Sequence, residues 1–75
     1  MTKVTIRTVD GGLQEWDEPG SNLIYTLLDL QRRGYMGKQL IDTLITDDWA
    51  APPLCVHIEG TSEEGEKVNV TIPYE

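Results

Sequence analysis

Three stretches of the chain alternate apolar and polar residues with a period of two: Lys3-Val4-Thr5-Ile6-Arg7-Thr8-Val9, Leu54-Cys55-Val56-His57-Ile58-Glu59 and Lys67-Val68-Asn69-Val70-Thr71-Ile72. Successive side chains of a strand point to opposite faces, so each stretch has one face for a core and one for water. A parallel sheet buried on both faces would show unbroken apolar runs instead. The pattern predicts an antiparallel sheet with one covered face, toward which Val4, Ile6, Leu54, Val56, Ile58, Val68, Val70 and Ile72 point. What lies between these stretches must provide the cover.

The first stretch runs into Asp10-Gly11-Gly12, the residue chemistry that positive φ angles in a tight hairpin require. Leu13-Gln14-Glu15-Trp16 forms a short return strand, and Asp17-Glu18-Pro19-Gly20 breaks regular structure. From Asn22 to Arg33 the period becomes that of a helix, with Leu23, Ile24, Tyr25, Leu27, Leu28 and Leu30 covering an arc of about 220°. Ser21 is placed to cap its start and Gly34 to end it. An arc that wide exceeds what one small sheet covers, so this helix is expected to touch two surfaces. After Tyr35-Met36-Gly37 a second helix reads from Lys38 to Thr46, with Leu40, Ile41, Leu44 and Ile45 in a narrower stripe. Gly37 would be its N-cap, with Met36 and Ile41 forming a hydrophobic staple.

Trp49-Ala50-Ala51-Pro52-Pro53 reads as an irregular connection, and Gly60 to Gly65 as a polar loop joining the last two strands into a hairpin. The order is ββααββ. It predicts an α+β two-layer sandwich, a four-strand antiparallel sheet with two helices packed on one face, as a single domain over residues 1–75. Alternation alone does not fix the strand order. Pairing of the two hairpins through their first and last strands is one arrangement it allows.

Length and charge narrow what such a fold can do. A chain of 75 residues buries only roughly 60% of its unfolded surface, which leaves little stability to spend on a deep catalytic cavity. Six Lys+Arg against thirteen Asp+Glu give a net charge of −7, which argues against sequence-independent binding to nucleic acid or to anionic membrane. Nineteen Leu, Ile and Val exclude a disordered acidic tail. The single cysteine, Cys55, excludes an internal disulfide and fits a reducing cytoplasm. No basic segment precedes an apolar run at the N-terminus, and no stretch approaches the roughly 18 apolar residues of a membrane span.

Cys55, His57 and Glu59 share one strand face. A zinc site needs about four such ligands, and a thiolate nucleophile needs a base, a pocket and oxyanion donors. With one Cys and one His in the whole chain, neither constellation assembles. Gly11-Gly12 and Gly34-Tyr35-Met36-Gly37 serve turns rather than phosphate binding. The acid pairs Asp17-Glu18, Asp47-Asp48 and Glu63-Glu64 are neighbours in turns, not carboxylates converging across a cleft. No catalytic residue, metal ligand or cofactor is assigned, and an enzyme is the least favoured class.

The face turned away from the helices carries Lys3, Arg7, His57, Lys67 and Asn69, with Thr5 and Thr71, and Glu59 as its one clear acid. It is the candidate docking face for a protein partner. It lacks the aromatics on which single-stranded nucleic acid stacks. Leu23, Tyr25 and Leu30 on the wide arc, with the loop aromatics Tyr35 and Trp49, are the candidate self-association residues of a homodimer formed through the first helix or by edge-strand pairing. The expected function is that of a small acidic, cytoplasmic, non-enzymatic module that docks stoichiometrically on a partner protein, as accessory subunits, regulators and mobile-element inhibitors do. The alternative is a small-ligand binder with its site at a homodimer seam.

Overall fold

The computed structural model describes residues 1–45, 52–62 and 64–74. Its elements are β1 (Thr2–Thr8), β2 (Leu13–Glu18), α1 (Asn22–Arg32), α2 (Gly37–Leu44), β3 (Pro53–Thr61) and β4 (Lys67–Pro73). The four strands form one antiparallel sheet in the order β2-β1-β3-β4, and the helices pack on one face of it. This is the α+β sandwich that the alternation predicts. The hairpins meet through β1 and β3 rather than through their first and last strands. The two central strands bury Val4, Ile6, Val56 and Ile58 completely, whereas β2 keeps only Trp16 half-buried. The central pair is thus the most completely covered part of the sheet.

Two turns of one design close the hairpins. At the first, the Thr8 and Gly11 backbones bond as Gly11 N–H to Thr8 carbonyl (3.1 Å) and Thr8 N–H to Gly12 carbonyl (3.0 Å). Gly11 takes φ +87°, open to glycine and strained for other residues. The Thr8 hydroxyl and the Gly12 amide both donate to the Asp10 carboxylate. These bonds, the hydroxyl's first, hold that carboxyl below its ordinary range. At the second turn Ser62, Gly65 (φ +85°) and Glu66 repeat the backbone bonds, at 2.9 and 2.8 Å.

Helix α1 ends as its sequence suggests. Gly34 N–H donates to the Gln31 carbonyl and Tyr35 N–H to the Leu30 carbonyl, a Schellman pair, with Gly34 at φ +88°. Its start differs from expectation, because the Ser21 hydroxyl makes no capping bond and only the Ser21 carbonyl is used, by Tyr25 N–H (3.0 Å). The second surface that α1 touches is α2, in addition to β3. Ile24, Leu27 and Leu30 are buried there, and Leu23 and Leu28 half-buried. The α2 start is also corrected: Met36 is the N-cap and is 75% exposed, so no staple to Ile41 forms, and Gly37 is the buried first residue.

Strand β3 is longer than the alternating run at both ends. Pro53 opens it, and a register shift there opposes Thr8 to Pro53 and Arg7 to Cys55. Leu54 is the extra residue of this bulge, which turns it outward to 57% exposure instead of into the core. Gly60 and Thr61, expected in a loop, continue the strand. A Cβ on Gly60 would lie 3.1 Å from each of Ile24 Cδ1, the Met1 carbonyl oxygen and Thr2 Oγ1. Ile24 and Thr2 are fully buried, and the Thr2 hydroxyl is tied to the Gly20 carbonyl (3.2 Å). Gly60 is therefore a close-approach glycine under α1. Strand β2 likewise runs on through Asp17 and Glu18 before the chain turns.

The end of the chain is clipped to α2. The Tyr74 hydroxyl donates to Asp42 Oδ1 (2.8 Å), and Lys38 Nζ lies 5.9 Å from the centre of the Tyr74 ring. The bond to Asp42 holds the phenol above its ordinary range, with desolvation and the carboxylate's charge acting in the same direction.

Two outcomes test this description. Gly60→Ala should lower the unfolding free energy in urea by about 1–3 kcal/mol through overpacking, from a total of roughly 4–11 kcal/mol for a chain this long. A plain loop glycine would give no loss. A raised phenol pKa in the folded state means that the clip is complete below the unfolded phenol pKa and is lost as pH rises through the folded one. Ultraviolet titration should therefore show the Tyr74 transition of Asp42→Asn moving down toward the ordinary phenol value, and an unmoved transition would contradict the clip.

Candidate functional site on the open sheet face

The register fixes what the uncovered face presents. Crossing the sheet from β2 to β4, one row reads Asp17, Lys3, Glu59, Asn69; the next Glu15, Thr5, His57, Thr71; the next Leu13, Arg7, Cys55, Pro73. Lys67 lies beyond Asn69, opposite Thr61. All five residues expected on this face, Lys3, Arg7, His57, Lys67 and Asn69, stand on it. The expectation that Glu59 is its one clear acid is corrected, since β2 adds Glu15 and Asp17. The period-two spacing of Leu13, Glu15 and Asp17 carries the signal: Glu15 lies within the expected return strand, and Asp17 joins it because β2 runs past Trp16 to Glu18.

The face is held by side-chain bonds at its centre. Lys3 Nζ lies 3.4 Å from Glu15 Oε1, and the Thr5 hydroxyl donates to Glu15 Oε2 at 3.5 Å. His57 Nδ1 meets the Thr71 hydroxyl at 2.8 Å, and its Nε2 lies 3.7 Å from Glu59 Oε2. His57 is thus engaged by Thr71 and Glu59, not by Cys55. Among the described residues no cluster of three or more His, Cys, Asp or Glu could hold a metal ion.

Arg7 is different. It is exposed and makes no ion pair among the described residues. Leu13 faces it directly across the β1–β2 pair, and the bulged Leu54 follows on the other side. These two leucines are 61% and 57% exposed and line, with Arg7 and Gly12, a shallow recess of about 310 Å³. Leu54 reaches this place only through the bulge, which no period-two reading could show.

The self-association candidates do not gather. Leu30 is buried in the core, Leu23 and Tyr35 are half-buried against it, and Tyr25 is 72% exposed on the outer side of α1. Trp49 lies outside the described residues. Tyr35, with Met36, Leu40, Ile72 and Pro73, lines a groove of about 520 Å³ between the α1–α2 turn and β4.

The two sheet edges carry unlike charge. Thr8 N–H donates to Gly12 and Tyr74 N–H to Leu54 (3.1 Å), which sets the phase of both outer ladders. In that phase Leu13, Glu15 and Asp17 of β2, and Lys67, Asn69 and Thr71 of β4, aim their backbone groups away from the sheet. The β2 edge is acidic; the β4 edge carries Lys67 at one end and Pro73 at the other.

Among the described residues no helix is long and apolar enough to cross a membrane. The chain was compared with protein-family models, curated proteins and solved structures, and it matches none of them.

If the face is free of folding duty, reversing its charge should cost little. Arg7→Glu and Lys67→Glu should each change the urea unfolding free energy by no more than about 0.5 kcal/mol, the usual range for surface changes away from special features. A loss several times larger would make these side chains part of the fold.

Proposed function

We propose that the chain is a small acidic, non-enzymatic module that docks stoichiometrically on a partner protein through its open sheet face. The observation that carries this reading is Arg7, an exposed cation with no ion-pair partner among the described residues, set between two exposed leucines in a shallow recess. Interfaces favour arginine beside apolar contacts, with a polar rim to fix orientation. Lys3, His57, Lys67 and Asn69 supply such a rim, and the bonds of Lys3 to Glu15 and of His57 to Thr71 leave little side-chain entropy to lose on binding. A cytoplasmic setting fits the unpaired, half-buried Cys55.

A second reading has its own observation. The groove beside Tyr35, Met36 and Leu40 has the volume of a small-molecule site, within the usual range of about 300–1,000 Å³. It opens beside the β4 edge, where a homodimer seam would close over it. A thermal-shift screen of metabolites in which one raises Tm, while no protein is retained from lysate, would favour that reading.

The docking reading is tested by affinity capture from lysate of the source cell, with quantitative mass spectrometry on wild type and on the folded double variant Arg7→Glu/Lys67→Glu. One protein retained in stoichiometric amount by wild type and reduced at least tenfold by the variant is the expected result. Equal retention by both would move docking off this face.

A further inference from the structure

We infer that β4 pairs edge to edge with β4 of a second copy, giving a two-fold dimer with one continuous eight-strand sheet. The inference uses the β4 edge, which borders the docking face and shares Lys67 and Asn69 with it, but it draws on neither Arg7 nor its two leucines. A free strand edge is a row of donors and acceptors ready for another strand, and proteins blunt such edges with charge, proline or cover. The two edges of this sheet differ in how far they are blunted.

The β2 edge opposes itself. The two registers of greatest overlap, about Glu15 and about Trp16, set Glu15 against the partner's Glu15 or Asp17, and like charges directly opposite are destabilising; pairing about Gln14 avoids this only by shrinking the overlap to Leu13–Glu15. The β4 edge is compatible with itself. Antiparallel pairing about a two-fold at Val70 sets Asn69 against the partner's Thr71 and Thr71 against the partner's Asn69. It sets Lys67 against the partner's Pro73, so no like charges meet. Asn69 and Thr71, like Lys67, point both N–H and C=O outward, and among the described residues neither of their amides finds a protein acceptor on that side. Each such pair exchanges both of its N–H···O bonds. Pro73 lacks an N–H, but its carbonyl still accepts from the partner's Lys67.

The side chains agree with the backbone. On the helix side the same register brings Val70 to the partner's Val70, and Val68 to the partner's Ile72. Val70 is only half-buried in the single chain, the least covered of the three apolar β4 residues. The groove that Tyr35, Met36 and Leu40 form with Ile72 and Pro73 opens along this edge, and Met36 is 75% exposed beside it. Pairing places the partner strand beside that groove, next to Ile72 and Pro73. A β2-to-β4 junction would also bring Lys67 near acids, but it leaves a free edge at each end and so grows without closing.

Sedimentation equilibrium at high micromolar concentration should give a dimer for wild type. Asn69→Pro removes an outward donor and puts a ring in the path of the incoming strand, at a place where an edge strand tolerates proline. It should keep the wild-type circular dichroism and weaken the dimer by on the order of 100-fold, the loss of two net hydrogen bonds per dimer. Should Asn69→Pro fail to fold, amide exchange on wild type decides. The Asn69 and Thr71 amides should become protected as concentration rises, while those of Glu15 and Asp17 stay open. A monomer at high micromolar concentration, a mass that keeps growing with concentration, a dimer persisting in folded Asn69→Pro, or protection that spares Asn69 and Thr71 would each overturn the inference. None of these outcomes bears on capture through Arg7.

Discussion

The burial of the β1–β3 pair under α1 is the contact on which the remaining structure depends. Val4, Ile6, Val56 and Ile58 are fully covered on one side of the sheet, and Ile24 and Leu27 of α1 are fully buried opposite them. Ile24 comes so close to β3 that a Cβ at residue 60 would crowd it at 3.1 Å. The helix sits down on the strand at that point, and Thr2 of β1 is trapped in the same place by its bond to Gly20. With the central pair fixed, β2 and β4 can only add outside it, and α2 fills the remaining half of the layer against α1 and β4. Among the described residues both helices lie in one layer, on one face of the sheet, and the other face stays open.

That one-sidedness is what makes function possible in so short a chain. A core on one face leaves the opposite face facing solvent, where its side chains are open to a partner under the docking proposal. The bonds at its centre, among Lys3, Glu15, Thr5, His57, Thr71 and Glu59, order the middle of the face without burying it. Arg7 and its two leucines sit at the hairpin end, where the bulge at Leu54 interrupts the regular pleat. A bulge beside the most partner-ready residues is consistent with the use of bulges to re-aim side chains.

Much of this architecture was legible in the residue order. Period-two runs marked β1, β3 and β4, a leucine arc marked α1, and Gly34 marked its end, because each of these is a local rule with one physical cause. What escaped the sequence is non-local. Gly60 reads as a loop residue until the approach of Ile24 explains it. Leu54 reads as core until the offset between Thr8 and Arg7 turns it out. The reach of β2 through Asp17, and with it the acids on the open face, depends on pairing with Lys3 and Thr2 rather than on any propensity of Asp or Glu for strands. Strand order is a long-range choice of which strand of each hairpin meets the other, and alternation does not make it: β4 carries Val68, Val70 and Ile72 inward yet lies at the edge. The candidate docking residues Lys3, Arg7, His57, Lys67 and Asn69 were readable as one face, but the recess that singles out Arg7 was not.

A sheet covered on one side only is most directly tested by nuclear magnetic resonance with a soluble paramagnetic agent, comparing side-chain relaxation residue by residue along the strands. A one-sided sheet predicts strict alternation: strong relaxation at Lys3, Thr5 and Arg7 on β1 and at Asn69 and Thr71 on β4, with Val4, Ile6, Val56 and Ile58 protected. Equal protection of both sets would show that something covers the open face, and would contradict a surface free to bind.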